Sequence, residues 1–112
     1  MSKYNNKRIT IDGITFDSLA EERRYRELLL LERAGEILDL KVHPKYLLYE
    51  KFTDDYGVHH RSITYIGDFE YRWENGQIIC EDVKGVETAV FRLKAELMAR
   101  RYPNVMLKIV RA

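Results

Sequence analysis

Cysteine is nearly missing from this sequence. Cys80 is the only one in 112 residues. An intrachain disulfide is therefore impossible, and a reducing, cytoplasmic setting is the expectation. Long apolar runs are missing too: none approaches the roughly 18–20 residues that span a bilayer, and the N-terminus lacks a signal-peptide pattern. No charge sign dominates. The net charge of +1 means that a surface for a polyanion must be a local patch rather than a global field. Only Pro44 and Pro103 and six glycines interrupt the chain, and no linker, repeat or low-complexity segment is present. The sequence reads as one domain over residues 1–112, long enough for a single hydrophobic core.

What is present reads in order. Residues 1–8 are polar and expected to fray. Ile9-Thr10-Ile11 and Ile14-Thr15-Phe16 alternate around Asp12-Gly13, a type I′ turn signal, which predicts a hairpin over 9–16. Ser18 followed three residues later by Glu21 makes a capping box, and a helix should run from Leu19 to Ala34 with Gly35 as its stop. Ile37–Val42 and Lys45–Phe52 read as strand interrupted by His43-Pro44, and Thr53–Val58 as a loop. A further strand covers Ser62–Trp73, Glu74-Asn75-Gly76 is a turn, and Gln77–Lys84 is the next strand. Thr88–Arg101 reads as a second helix with Val90, Phe91, Leu93, Leu97 and Met98 as its apolar face. Val105–Val110 is a last strand. The order is helix, a three-stranded meander, helix, strand, which predicts a mixed α/β (α+β) domain around one mixed sheet.

The chemistry concentrates on two strands. In Ile79-Cys80-Glu81-Asp82-Val83-Lys84, Asp82 and Lys84 are two apart and share a face, with Ile79, Glu81 and Val83 on the other. Asp68 stands on the preceding strand. A two-residue turn at Asn75-Gly76 would set Asp68 opposite Val83. A three-residue loop with Gly76 left-handed pairs Trp73 with Gln77, Asp68 with Asp82 and Ile66 with Lys84. Two carboxylates directly opposed on a sheet repel unless something neutralises them, and a divalent cation is the economical neutraliser.

Glu21 lies on the helical stripe of Tyr25, Leu28 and Leu29, so it is an acid on the packing face as well as a capping residue. Arg24, Arg92 and Lys94 are basic groups on the two helices, of which Lys94 borders the apolar stripe. His59-His60 beside Asp54-Asp55 carries no zinc spacing, because adjacent residues on an extended chain point opposite ways. Cys80 reads as a small buried apolar group. Tyr65, Phe69, Tyr71 and Trp73 alternate on one face, as a core under a helix does.

A helix acid, an acid on one strand and an acid-x-lysine on the next resemble the pattern of the PD-(D/E)xK nuclease superfamily, here Glu21, Asp68, Asp82 and Lys84. Phe16-Asp17-Ser18-Leu19-Ala20-Glu21, Arg24-Tyr25, Ala34-Gly35-Glu36-Ile37 and Asp82-Val83-Lys84-Gly85 resemble small phage-type endonuclease-like proteins, similar to Holliday-junction resolvases. The resemblance runs from about Ile9 to Val110. It implies a restriction-endonuclease-like core and a Mg²⁺-dependent endodeoxyribonuclease, with Mn²⁺ as a substitute, hydrolysing phosphodiester bonds of branched or recombination-intermediate DNA. It implies Glu21, Asp68, Asp82 and Lys84 as catalytic residues. The implied metal ligands are Asp68, Asp82, the Val83 carbonyl and Glu21, the last directly or through water. Lys94, Arg92 and Arg24 become candidate DNA contacts. A homodimer is implied, without a membrane, in the cytoplasm of a bacterial or phage-infected cell. Gly67 stands where the family often has proline, and Glu81 is an alternative ligand to Asp82, with the face argument favouring Asp82. The competing expectation is a non-catalytic DNA-binding accessory protein of recombination or replication with the same fold.

Overall fold

The computed structural model of the chain describes residues 8–112; apart from Arg8, the stretch expected to fray lies outside the described residues. Strands β1 (Ile9–Ile11) and β2 (Ile14–Phe16) form the expected hairpin. Its turn puts Asp12 at φ 55° and Gly13 at φ 77°, the two positive angles of a type I′ turn. Helix α1 (Leu19–Arg33) starts at Ser18, whose Oγ accepts the Glu21 N–H at 3.2 Å and donates to Glu21 Oε2 at 3.1 Å. Gly35, at φ 77°, closes it by letting Gly35 N–H and Glu36 N–H reach the Glu32 and Leu31 carbonyls, each at 3.0 Å.

Seven strands and a helix follow before the last strand: β3 (Ile37–Val42), β4 (Lys45–Tyr49), β5 (Phe52–Thr53), β6 (His59–His60), β7 (Ile63–Ile66), β8 (Phe69–Trp73), β9 (Ile78–Lys84) and α2 (Ala89–Arg101), then β10 (Val105–Arg111). Thr88 caps α2 by accepting the Phe91 N–H at 3.1 Å. A four-stranded sheet runs in the order β10-β9-β8-β3, parallel between β9 and β10 and antiparallel elsewhere. The protein is a mixed α+β fold of two helices around a mixed sheet. No helix among the described residues is long and apolar enough to cross a membrane.

The hairpin between β8 and β9 has the register of a three-residue loop. Arg72 pairs with Ile78 and Phe69 with Glu81, and Trp73 N–H reaches the Gln77 carbonyl at 2.9 Å around Gly76 at φ 90°. Counting on, Asp68 stands level with Asp82. The expected Ser62–Trp73 strand, however, is two strands. At Gly67-Asp68 the chain leaves the four-stranded sheet, and β7 pairs with β4 instead, so Ile66 pairs with Lys45 and not with Lys84. The partner chain turns at the same level, since His43 N–H donates to the Asp68 carbonyl at 2.9 Å and Gly67 N–H to the Pro44 carbonyl at 3.0 Å. The segment expected as one strand over Lys45–Phe52 also divides, into β4 and the short β5, which pairs with β6 across the loop at Asp54–Val58.

The core is divided by the sheet rather than single. On one face Phe16, Tyr25, Leu28, Ile37, Phe69, Tyr71 and Ile79 pack under α1 and the first hairpin. On the other, Tyr46, Leu48, Tyr65, Cys80, Phe91 and Met98 pack under α2. Tyr65 therefore does not share a face with Phe69 and Tyr71, because the break at Gly67 sends it to the α2 side. Val90 and Leu93 also depart from expectation at 64% and 62% exposed, since α2 docks through Phe91 and Met98 and is only half covered. His59 and His60 are held locally, by Thr53 Oγ1 and Asp54 Oδ2, each at 2.8 Å.

Gly67 is fixed by proximity. A Cβ there would lie 2.6 Å from Cys80 Sγ, and Cys80 is completely buried. Gly67→Ala is expected to destabilise the protein by about 1–3 kcal/mol, the usual cost of overpacking. In urea denaturation Cys80→Ala should relieve part of that cost, giving a double-mutant coupling of about 0.5 kcal/mol or more; strict additivity would refute the contact.

Candidate active site

Strand β9 carries two consecutive acids to opposite sides of the sheet, as its period of two requires. Glu81 points toward α1 and is completely buried. Arg24 of α1 grips it with Nε on Oε1 and Nη2 on Oε2, both at 2.7 Å, and the Tyr71 hydroxyl donates to Oε2. Burial pushes the Glu81 carboxyl up, but the Arg24 guanidinium and the Tyr71 hydroxyl outweigh it and leave the group below the usual carboxylate range. Glu81 is a satisfied structural ion pair.

Asp82 points the other way and is only 4% exposed. The Tyr65 hydroxyl donates to its Oδ2, while Lys84 Nζ lies 3.5 Å from Oδ1 and 4.6 Å above the Phe91 ring. Asp68 contributes its carboxylate from the bend between β7 and β8, where Oδ2 accepts the Val83 N–H at 2.6 Å. Asp68, Asp82, Lys84 and Lys94 line one cleft of about 370 Å³, together with Thr64, Tyr65 and Ile66 at the base of the β4–β7 ribbon and Thr88, Val90 and Phe91 of the α2 start.

The α1 side of Asp68 holds a second cluster. Ligand-capable atoms of Glu21, His43 and Asp68 all lie within 4.8 Å of one another. Asp68 is thus common to two groups, Glu21 and His43 on one side and Asp82 with Lys84 on the other. Crowding marks both acids of the cleft. Burial, then the neighbouring Glu21 carboxyl, pushes Asp68 up to about 6 against the relief from Val83 N–H. Burial, then the Asp68 charge, pushes Asp82 up to about 6 in spite of the Tyr65 hydroxyl and the Lys84 ammonium. Two carboxyls held this high in one cleft are a donor set short of positive charge, which fits a divalent cation.

The expected site residues do not all converge. Asp68, Asp82, Lys84 and Lys94 share the cleft, while Glu21 approaches Asp68 from the α1 side and does not line it. Val83 enters through its N–H. Arg92 is exposed and outside the cleft. Arg24 is a correction: its guanidinium is committed to Glu81 and, at 2.8 Å, to Glu27, so it stabilises the sheet–helix junction rather than standing free for a phosphate. Glu81 is likewise removed as an alternative ligand by that pair. Two participants were missed. Tyr65 faces the α2 side rather than the face of Phe69 and Tyr71. His43 interrupts its strand, and the pairing of that strand with β8 sets it opposite Asp68.

Two expectations follow. Removing Arg24 leaves an uncompensated buried carboxylate, so Arg24→Ala should cost about 3–5 kcal/mol in urea denaturation. Asp82→Asn should act in the opposite sense. The folded Asp82 pKa lies above its unfolded value near 3.9, so ionisation costs nothing below about pH 4, costs more between 4 and 6, and costs its full amount above that. The variant should match the wild type at pH 4 and exceed it above pH 6.5 by on the order of 1–2 kcal/mol in the metal-free protein, solvent screening at the open side of the cleft reducing the full effect. Equal stability at both pH values would refute the crowding.

No curated protein and no solved structure matches the chain. A family model does, over residues 1–112, and the protein belongs to that family, described as Protein of unknown function (DUF1064).

Proposed function

We propose that this protein is a divalent-metal-dependent DNA endonuclease of the PD-(D/E)xK kind, with a restriction-endonuclease-like core. The observation that carries the reading is the convergence of Asp68, from the bend before β8, with Asp82 and Lys84 of β9 in one cleft with Lys94, both carboxyls pushed up to about 6 by burial and then by a neighbouring carboxyl. The element order of the main sheet supports it: a helix bearing Glu21, the antiparallel strands β3, β8 and β9, a helix, and a strand parallel to the one carrying Asp-x-Lys.

Asp68 and Asp82 would hold Mg²⁺ or Mn²⁺, with Glu21 approaching from the α1 side. Bound there, the cation supplies Lewis acidity toward a phosphoryl oxygen and makes a bound water more acidic. The chain's own groups do the rest. The Tyr65 hydroxyl fixes Asp82 Oδ2, so Oδ1 faces Lys84. Lys84, steadied over Phe91, offers its ammonium to orient the attacking water and to balance charge as the phosphate becomes pentacoordinate. Lys94, half-buried at the cleft wall, meets a neighbouring phosphate. One cleft per chain cuts one strand, so duplex or branched DNA calls for a homodimer.

The test is cleavage of labelled duplex and four-way-junction DNA with Mg²⁺ or Mn²⁺. Asp82→Asn, which should fold at least as well as wild type, is expected to cut slower by about 10²-fold or more, the scale of losing a charge contact in the transition state. A junction preference in the wild type would assign branched DNA as substrate. Absence of cutting with unchanged, metal-independent binding by both proteins would sink the nuclease reading and favour a DNA-binding accessory role.

A further inference from the structure

We infer that His43 is a metal ligand, forming with Glu21 and Asp68 a cation position on the α1 side that selects a first-row transition ion such as Mn²⁺ over Mg²⁺. The inference rests on the reading of Asp68 as a metal carboxylate and adds to it a residue and a selectivity that the nuclease pattern does not contain.

The placement of His43 is a matter of register. Val42 pairs with Phe69 and Lys45 with Ile66, so His43 stands opposite Asp68 across the bend. Asp68 in turn is level with Asp82. One row across the strands therefore reads His43, Asp68, Asp82. The His43 backbone is pinned there: its N–H donates to the Asp68 carbonyl at 2.9 Å, its φ is 55°, and the buried Pro44 follows. Its ring lies 6.0 Å from that of Phe16, which leaves the nitrogen edge to meet the two carboxylates within 4.8 Å.

Among the described residues the His43 ring makes no hydrogen bond, and neither Glu21 nor Asp68 has a basic partner. Arg26 goes to Glu22 and Lys84 to Asp82. Ser18 engages Glu21 through Oε2 alone. Two carboxylates and an unbonded imidazole edge are a mixed nitrogen and oxygen donor set. Imidazole suits Fe²⁺, Ni²⁺, Cu²⁺ and Zn²⁺; Mn²⁺ favours oxygen but accepts an imidazole as a first-row ion, whereas Mg²⁺ keeps to oxygen ligands and gains little from a nitrogen.

The experiment is calorimetric titration of the metal-free full chain with Mn²⁺ and, separately, Mg²⁺, alongside pulsed electron-spin resonance of the Mn²⁺-loaded protein for nitrogen coupling. Two variants are used. His43→Asn tolerates a positive φ and replaces nitrogen donation by oxygen; His43→Ala removes the donor. The wild type should bind Mn²⁺ more tightly than Mg²⁺ and show coupling to an imidazole nitrogen. Both variants should lose that coupling and about 10-fold or more in Mn²⁺ affinity, with Mg²⁺ affinity changed by no more than about 2-fold. Wild-type Mn²⁺ without nitrogen coupling, or Mn²⁺ affinity unchanged in His43→Asn, would overturn the inference. Neither readout involves DNA. Wild-type cutting that persists in Asp82→Asn would refute the placement of the reaction at Asp82, and absence of cutting would refute the nuclease reading; either leaves the His43 measurement to stand or fall by itself.

Discussion

Gly67 has room for no side chain, and the arrangement of the acids depends on that. Any Cβ at this position would sit inside the contact radius of Cys80 Sγ. Because the backbone can lie directly on the cysteine, β7 leaves the sheet without a gap and carries Tyr65 to the α2 core. Asp68, the next residue, stays level with Asp82. A close-packed interior tolerates little displacement. A methyl group here would lift the ribbon away from β9, and the first contacts to loosen would be Tyr65 to Asp82 and Asp68 to the Val83 N–H.

The adjacent acids of β9 separate structure from chemistry. Glu81 and Asp82 are both buried, one residue apart on one strand. Glu81 has a bidentate guanidinium and a phenol, and its ionised form is favoured. Asp82 has a phenol, a more distant ammonium and a second aspartate beside it, and its ionised form is disfavoured. Burial alone does not distinguish them; compensation does. A fully compensated buried acid ties α1 to the sheet, while an undercompensated one stores unfavourable charge that an added cation can relieve. The same logic separates Arg24, spent on Glu81 and Glu27, from Lys84 and Lys94, which line the cleft.

Local signals made much of this legible in the sequence. The Asp12-Gly13 turn, the Ser18 cap, the Gly35 stop and the Glu74-Asn75-Gly76 loop are each set by a few neighbouring residues, and the loop carried with it the level of Asp68 against Asp82. What the sequence did not reveal is non-local. The division of Ser62–Trp73 falls at Gly67, where the backbone lies against Cys80, thirteen residues on, and no strand pattern announces a contact with another strand's sulfur. The exposure of Val90 and Leu93 depends on how far the β4–β7 ribbon covers α2. Arg24 looked like any surface arginine on a basic helix; only the tertiary fold brings Glu81 under it. His43 had a detectable signal, since a His-Pro break and a Gly-Asp break fall opposite each other once the two strands are paired.

Shape bears on the kind of substrate such a cleft would take. For 112 residues a compact chain has a radius of gyration near about 13 Å, whereas this one has 16.1 Å and extents of 53 × 44 × 25 Å. The β4–β7 ribbon, extended by β5 and β6, is an element that lengthens it. Thr64, Tyr65 and Ile66 at its base are also walls of the cleft, so ribbon and acids share one surface. A small metabolite is held by enclosure on most sides. An open cleft continuous with a projecting ribbon suits a ligand longer than the site itself, and a ribbon of two strands has the width to lie along a nucleic-acid groove. On the proposed reading the acids and lysines would define a point of reaction, and the ribbon would give an extended substrate a direction along the protein.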